Sequence, residues 1–446
     1  MMRRLIVQRA LRGLAVLAAL VATSPAAAQR TSLHGTGSFT VAYNDNILST
    51  PDDPDPNAAG VVTEPIADLA LTVSPGLLWL FATERTELTV SYQRSFVFFA
   101  FHGDASSAAD FGQVGLLHRL SPIEQVGVSF NVNRSATNLA GLQSPLETST
   151  TAVPQSPAQL LSFQLAETYQ RGLTERWSVN QAANASVTTS LGGAGSVADL
   201  YVLRALAGPA LQLERHLFVF EAGAQYNFID VPQPDPTVEV TDRHQAIPIA
   251  DVTWGWQLAE RWRSQLVAGV AFPFDTQGTF AVAPTGAAGV YYVNLAYGAS
   301  LVASRAITPN FATQQVLYAD ALALSGNVAL WEAQGLVLQG SLGLGQNRAL
   351  DTSQVITGPV LSNNFTFDAS LGWTPRNSPL NLALRCQRLQ QFGSSEDSVL
   401  QDFQRNVVGF TLGFILPPRG VDDQERAFRP RGLRTEPQVQ APSASR

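Results

Sequence analysis

Residues 87–98 read Glu87-Leu88-Thr89-Val90-Ser91-Tyr92-Gln93-Arg94-Ser95-Phe96-Val97-Phe98. Leu88, Val90, Tyr92, Phe96 and Phe98 share one parity, and Thr89, Ser91, Gln93 and Ser95 the other. Arg94 is the exception on the apolar side. Side chains on a strand alternate faces with a period of two. One face of this segment is therefore greasy and aromatic, and the other is small and hydrogen-bonding. The same register recurs at Val126, Val128, Phe130 and Val132 against Gly127, Ser129, Asn131 and Asn133. It is read again at Tyr291, Val293, Leu295 and Tyr297 against Tyr292, Asn294, Ala296 and Gly298. A wet inside and a greasy outside, in segments of about ten residues, is the pattern of a transmembrane β-barrel.

The N-terminus agrees with export. Arg3, Arg4, Arg9 and Arg12 precede a short apolar run, Leu14 to Ala22, and Ala26-Ala27-Ala28 provides a cleavage site. Residues 1–28 are thus expected to be a secretory signal peptide, too short for a membrane span. After Ala28 no apolar run approaches the ~18 residues of a spanning helix. Residues 29–416 are expected to form the barrel. Residues 417–446, rich in Pro, Arg, Gln and Ser and without periodicity, are expected to be a disordered periplasmic tail.

Charge narrows the class further. The chain has 28 basic residues, all Arg, and 35 acidic ones; the leader holds four of the basic and none of the acidic, leaving a mature balance of −11. Such an acidic chain is a poor nucleic-acid binder. The single Cys386 can form no internal disulfide and belongs to no metal-ligand cluster.

Turns between the alternating segments set the topology. Short connections are read near 83–86, 120–124, 172–175, 214–216, 259–260, 306–309, 332–335 and 373–378, alternating with long ones. In outer-membrane barrels short turns face the periplasm and long loops face outside. This reading yields an odd strand count. Splitting 310–331 at Ser325-Gly326-Asn327, a tight-turn tripeptide, makes it even. The expectation is an all-β, antiparallel up-and-down transmembrane barrel of about eighteen strands, with sixteen as the alternative. The turn sequences Leu173-Thr174-Glu175-Arg176-Trp177 and Leu258-Ala259-Glu260-Arg261-Trp262 repeat an acid–base pair beside Trp. That composition suits a headgroup boundary flanked by an aromatic girdle.

No catalytic constellation emerges, so no enzyme, cofactor or metal is expected. His102 beside Asp104 and His244 beside Asp242 are the pairs closest to a barrel-rim hydrolase, but neither has a nucleophile in a recognisable motif. The proline- and acid-rich runs 51–56 and 232–235 lack the glycine and spacing of a calcium loop.

Face assignment then supplies candidate pore-lining residues. They are Ser91, Gln93, Ser129, Asn131, Ser162, Gln164, Asn180, Asn184, Ser186, Gln225, Asn227, Asn294 and Thr366, all uncharged, with Glu221, Asp368 and Arg385 as inward charges and Arg263 near the periplasmic rim. Amides and hydroxyls hydrogen-bond sugars without trapping them. Any water-facing barrel wall is also polar, so both readings stay open. The last strand places Val408, Phe410, Leu412 and Phe414 outward against Gly409, Thr411 and Gly413. It is similar to the terminal signal read by barrel insertion machinery, although 32 residues follow Phe414.

The mature N-terminal region carries a resemblance. Val41-Ala42-Tyr43-Asn44-Asp45-Asn46-Ile47-Leu48, then Ala67-Asp68 and Val73-Ser74-Pro75-Gly76, resemble the opening of the β-barrel porin 2 type of outer-membrane protein. In that group a first strand ends in Tyr-x-Asp-Asn and a second carries a Ser-Pro-Gly break. The resemblance implies an outer-membrane conduit for exopolysaccharide, working with periplasmic polysaccharide-export components. The residues also have a plain structural reading. Asn44-Asp45-Asn46 are turn formers, and Ser74-Pro75-Gly76 suits a bulge or bend. A non-conducting structural or surface-binding barrel, using loops 46–66 and 138–158, is the alternative.

Overall fold

The computed structural model describes residues 30–47, 65–136, 159–191, 199–230, 243–275, 281–294, 296–310, 315–349, 360–375, 378–393 and 402–416. Residues 1–28 and 417–446, the expected leader and tail, lie outside the described residues. Each described strand pairs antiparallel with its neighbour in sequence, and the first, Arg30–Asn44, also pairs with the last, Phe403–Leu416. The sheet closes on itself and has no free edge.

Nineteen extended segments make eighteen staves. Phe274–Asp275 pairs with Ala246 and Gln245 in the register that Trp262–Ala271 already has with the same neighbour, so the two are one strand. The gap falls where Pro248 and Pro273 face the ladder without N–H donors. The barrel is closed, antiparallel and of eighteen strands, as expected.

The route to that count differs from the expected one. Gln315–Trp331 is a single strand, and Ser325-Gly326-Asn327 lies within it in unbroken register with Ser300, Ala299 and Gly298. Ser325 Oγ and Ser300 Oγ are 2.7 Å apart. A Cβ on Gly298 would sit 2.8 Å from Asn327 Oδ1, so glycine there makes room for the amide. The turn that sequence reading missed is at Asn294–Tyr297, where Asn294 N–H donates to Tyr297 O. It separates Ala283–Val293 from Tyr297–Asn310, and the latter runs straight through the expected turn at 306–309. Two false breaks, at 306–309 and 325–327, stood in place of two real ones, at 294–297 and between the paired residues Asn310 and Gln315, so the errors cancelled. A short peptide tag inserted after Asn294 is therefore expected to leave heat-modifiable, folded barrel, whereas the same tag after Gly326 abolishes it. Equal tolerance at both sites would refute this turn placement.

The outer wall is apolar, as the alternation requires. Leu33, Phe39, Leu77, Leu203, Leu301 and Leu384 are all exposed on it. All seven tryptophans lie towards the short-turn end. There His216, Phe218, Trp254 and Trp256 form a stacked ladder, and Trp262 meets Tyr292 edge-on at 4.9 Å. Beside them the turns are tied by threonine: Thr174 Oγ1 accepts from the Trp177 N–H at 3.0 Å, and Thr83 Oγ1 from the Thr86 N–H at 2.9 Å. Amphipathic rings prefer this boundary between hydrocarbon and headgroup.

The seam uses the residues that carried the family resemblance. Asp45 accepts from Asn406 N–H and Asn406 Nδ2, each at 2.6 Å. Asn46 Nδ2 donates to Gln404 O at 3.0 Å, and Asn44 Oδ1 accepts from the Asn46 N–H at 3.1 Å. The turn formers thus staple the outer end of the first strand to the last. Ser74-Pro75-Gly76 makes no bulge. Pairing on either side of it keeps one register, and Ser74 Oγ donates to Ser95 Oγ at 2.8 Å.

Candidate functional site

The inner wall is the surface that closure creates. Paired residues share a face, so cross-strand rows can be followed around the lumen. One row runs Ser91, Gln113, Asn131, Gln164, Ser186. Another joins Ser129, Ala166, Asn184, Arg204 and Gln225. Gln93, Asn180, Asn227, Thr366, Asp368 and Arg385 occupy the same inner face. Arg263 is also inward, at the short-turn end opposite Tyr291. Asn294 is the exception. It sits in a turn at the short-turn end rather than on the wall, and Tyr291 rather than Tyr292 faces inward. The expected register is reversed at Tyr291 and Val293, before the turn, whereas Tyr297 beyond it faces outward as expected.

Hydroxyls and amides hold one another across strands and along them. Ser162 and Thr188 are 3.1 Å apart and Thr40 and Thr411 2.9 Å apart. Gln225 Nε2 donates to Asn227 Oδ1 at 2.9 Å, and Asn347 Nδ2 to Ser362 Oγ at 3.0 Å. These bonds fix the polar groups in place, which is how a polar wall keeps a defined hydrogen-bonding pattern. Gln225 and Asn227 are buried towards the long-loop end. Ser129, Asn131 and Asn184 at mid-height, and Asn180 nearer the short turns, are half-buried on the inner face.

At mid-height on the inner wall, charge falls in two places. Glu221 and Asp251 are direct cross-strand partners facing inward, near the inward Arg204. Further round the barrel, Arg385 Nε donates to Asp368 Oδ2 at 2.6 Å. Sequence reading identified Glu221, Asp368 and Arg385 but missed Asp251 and Arg204. Asp251 was legible from its neighbours, since Trp254 and Trp256 outward force odd positions inward. Arg204 was not, because Val202 and Leu206 on its own face are as apolar as Leu203 and Ala205 on the other.

The two histidines closest to a hydrolase-like pair have these partners. His102 Nδ1 lies 2.9 Å from Asp68 Oδ2, not against Asp104, and Asp68 also accepts from the backbone N–H of Leu69, Phe101 and His102. Asp68 is a staple for the loop that follows residue 99. His244 Nδ1 is 2.6 Å from Tyr226 Oη, and Asp242 is outside the described residues. Among the described residues no group of three or more potential metal ligands occurs.

At the long-loop mouth, Ile47 turns inward. Its N–H donates to Ile66 O, and its side chain is buried against Ala70, Val97 and Phe99, all on the inner face.

No family model matches the chain, and no curated protein matches it. Among solved structures, it is similar to OccAB3 of Acinetobacter baumannii, with 10% identity, 86% of this chain and 99% of that chain covered, and a TM-score of 0.41. It is likewise similar to OccK7 (OpdD) of Pseudomonas aeruginosa, with 10% identity, coverage of 87% and 99%, and a TM-score of 0.42. The siderophore receptor PirA of Pseudomonas aeruginosa gives 12% identity, coverage of 85% and 80%, and a TM-score of 0.41. The fold rests on the pairing of its own strands. Only helices and closed barrels satisfy every backbone polar group inside a bilayer. A closed eighteen-strand barrel, apolar outside and aromatic-girdled, is an outer-membrane protein of a bacterial cell.

Proposed function

We propose that the protein is an outer-membrane pore that passes carbohydrate, with an exopolysaccharide chain as the substrate that the resemblance of residues 41–76 implies. The observation that carries this reading is the row of uncharged amides and hydroxyls at mid-height, Ser91, Gln113, Asn131, Gln164 and Ser186. Barrels of 16–18 strands leave an aqueous lumen. A neutral, hydrogen-bonding wall offers a sugar many equivalent weak contacts, so the chain can slide from one to the next. Periplasmic polysaccharide-export components would deliver the chain, and insertion machinery would read Gly409 to Phe414 during assembly. In planar bilayers the expected result is a steady conductance that neutral oligosaccharides block transiently. A conducting barrel indifferent to oligosaccharide would remove the carbohydrate reading. No conductance, even with the long loops shortened, would remove the pore.

The inward turn of Ile47 favours one second reading, a non-conducting barrel whose mouth is occupied. Ile47→Asp should then open it, and the pore reading predicts conductance in the parent protein as well.

A further inference from the structure

Arg94, the anomaly on the apolar face of residues 87–98, is the first member of an outward-facing triad. Arg94 pairs with Asp110 and Asp110 with Arg134 across three adjacent strands. Arg94 Nε lies 3.7 Å and Arg134 Nη1 3.8 Å from the Asp110 carboxylate, and Tyr92 Oη donates to it at 2.7 Å. Far round the barrel the same arrangement recurs. Arg305 clasps Asp320 through two bonds of 2.6 and 2.8 Å, Arg348 lies 4.0 Å from the same carboxylate, and the Tyr318 ring lies 5.9 Å from the Arg305 guanidinium. These six residues lie on the parity of Val90, Leu116, Leu301, Leu322 and Leu344, so they face lipid. All are in the half of their strands nearer the long loops, the end opposite the tryptophans.

Two guanidiniums around one carboxylate leave each triad with a net positive charge. A charge on the lipid face is costly at the bilayer centre and tolerated at its edge. The wall between the triads is different: Asp199 and Asp230 pair opposite one another at the long-loop end of their strands. The outer rim is thus not basic all round, and the positive spots are local.

The second triad stands at the head of a groove of about 780 Å³ on the outer surface. Its apolar part is the cross-strand row Leu266, Ala288, Ala303, Leu322, Leu344 and Phe365, and the adjacent row Arg305, Asp320, Gln346 and Asn363 makes its polar side, nearer the long loops. Small alanines make the depression, and flanking leucines and phenylalanine make its sides. An apolar trough with a guanidinium on its upper side has the polarity of an amphiphile with an anionic head.

We propose that the two Arg–Asp–Arg triads hold phosphorylated lipid headgroups of the outer leaflet, the acyl chain of one lying in the groove below Arg305. Guanidinium forks match phosphate oxygens in pairs, and each Asp holds its arginines extended at the headgroup level.

The test uses full-length mature protein in detergent, with bis-phosphorylated lipid A as probe and the same lipid stripped of phosphate as control, counted by native mass spectrometry. Two variants remove charge without leaving an unpaired acid: R94Q/D110N/R134Q and R305Q/D320N/R348Q. Heat-modifiable migration reports that each is folded, and Arg→Lys versions keep the charge if either is not. The expected result is retention of the phosphorylated lipid alone, weakened about tenfold by each triple variant, as for loss of a charge-assisted contact. Equal retention of both lipids, or unchanged retention in both variants, overturns the proposal. A shift in oligomeric state on neutralisation overturns it too, because the triads would then be contacts between copies of the barrel.

Discussion

Replacing Asp45 and Asn46 together with alanine is expected to abolish most folded barrel in the outer membrane. The first and last strands are joined by backbone pairing and, at the outer end, by side-chain bonds that include two to Asp45 from Asn406 and one from Asn46 to Gln404 O. Each bond to a charged group contributes ~1.5–3 kcal/mol, so the pair of substitutions removes several kcal/mol at the joint that makes the sheet a barrel. Elsewhere, each strand has a neighbour that follows it directly in sequence. The seam has none, and its partners lie about as far apart in sequence as this barrel allows. At the other end Phe414 lies across Gly37, where a Cβ would come 2.3 Å from its ring. Phe410→Ser with Phe414→Ser should therefore also impair assembly, whereas deleting residues 418–446 should not. Folded protein is read by unheated gel migration and protease resistance in isolated membranes. Normal yield of the Asp45/Asn46 variant, or loss of folded protein on tail deletion alone, would show that the closing strand has been assigned wrongly.

The second large effect is expected in the lumen. Neutralising Glu221 and Asp251 to Gln and Asn removes two inward carboxylates that face each other across one strand pair. The Arg385–Asp368 pair cancels itself. Arg204, Glu221 and Asp251 together leave one net negative charge at mid-height, so the wild-type pore should prefer cations weakly. At ~6 Å in water a unit charge acts on a passing ion with about 0.7 kcal/mol, or roughly threefold in local concentration. Each neutralisation acts oppositely on the two ions, so it should lower the cation-to-anion permeability ratio by up to the square of that factor, about tenfold, and together they should turn the preference over to anions. Reversal potentials in a salt gradient measure it. An unchanged ratio, in a variant that still conducts, would mean that ions do not pass this part of the wall.

Much of the architecture was legible in local sequence. The alternation at 87–98 and 126–133 needs no knowledge of distant residues, because a strand's two faces are decided by its own parity. The outer membrane as compartment followed from the same alternation, and residues 1–28, read as a leader, agreed with it. Most inward candidates therefore stand where parity puts them.

Connections were harder. Ser325-Gly326-Asn327 has turn composition yet runs straight, because Gly298 across the strand leaves space for Asn327 and Ser300 bonds Ser325. Asn294–Tyr297 turns without glycine or proline, and the apolar parity of 291–297 continues through it by coincidence. Propensity at one position could not decide either case; the partner strand did.

Tertiary structure alone decided what lies at the same height on neighbouring strands. Arg94 was a local exception in the sequence, and register with Asp110 and Arg134 makes it part of a triad that recurs at Arg305, Asp320 and Arg348. The roles of Asp45 and Asn46 likewise depend on Asn406 and Gln404 at the far end of the chain. Parity is a property of a few consecutive residues, and so the chain itself determined two faces, a wet one and a greasy one. Closure and register are long-range, since they depend on which strands pair and at what offset, and only the folded barrel supplies that.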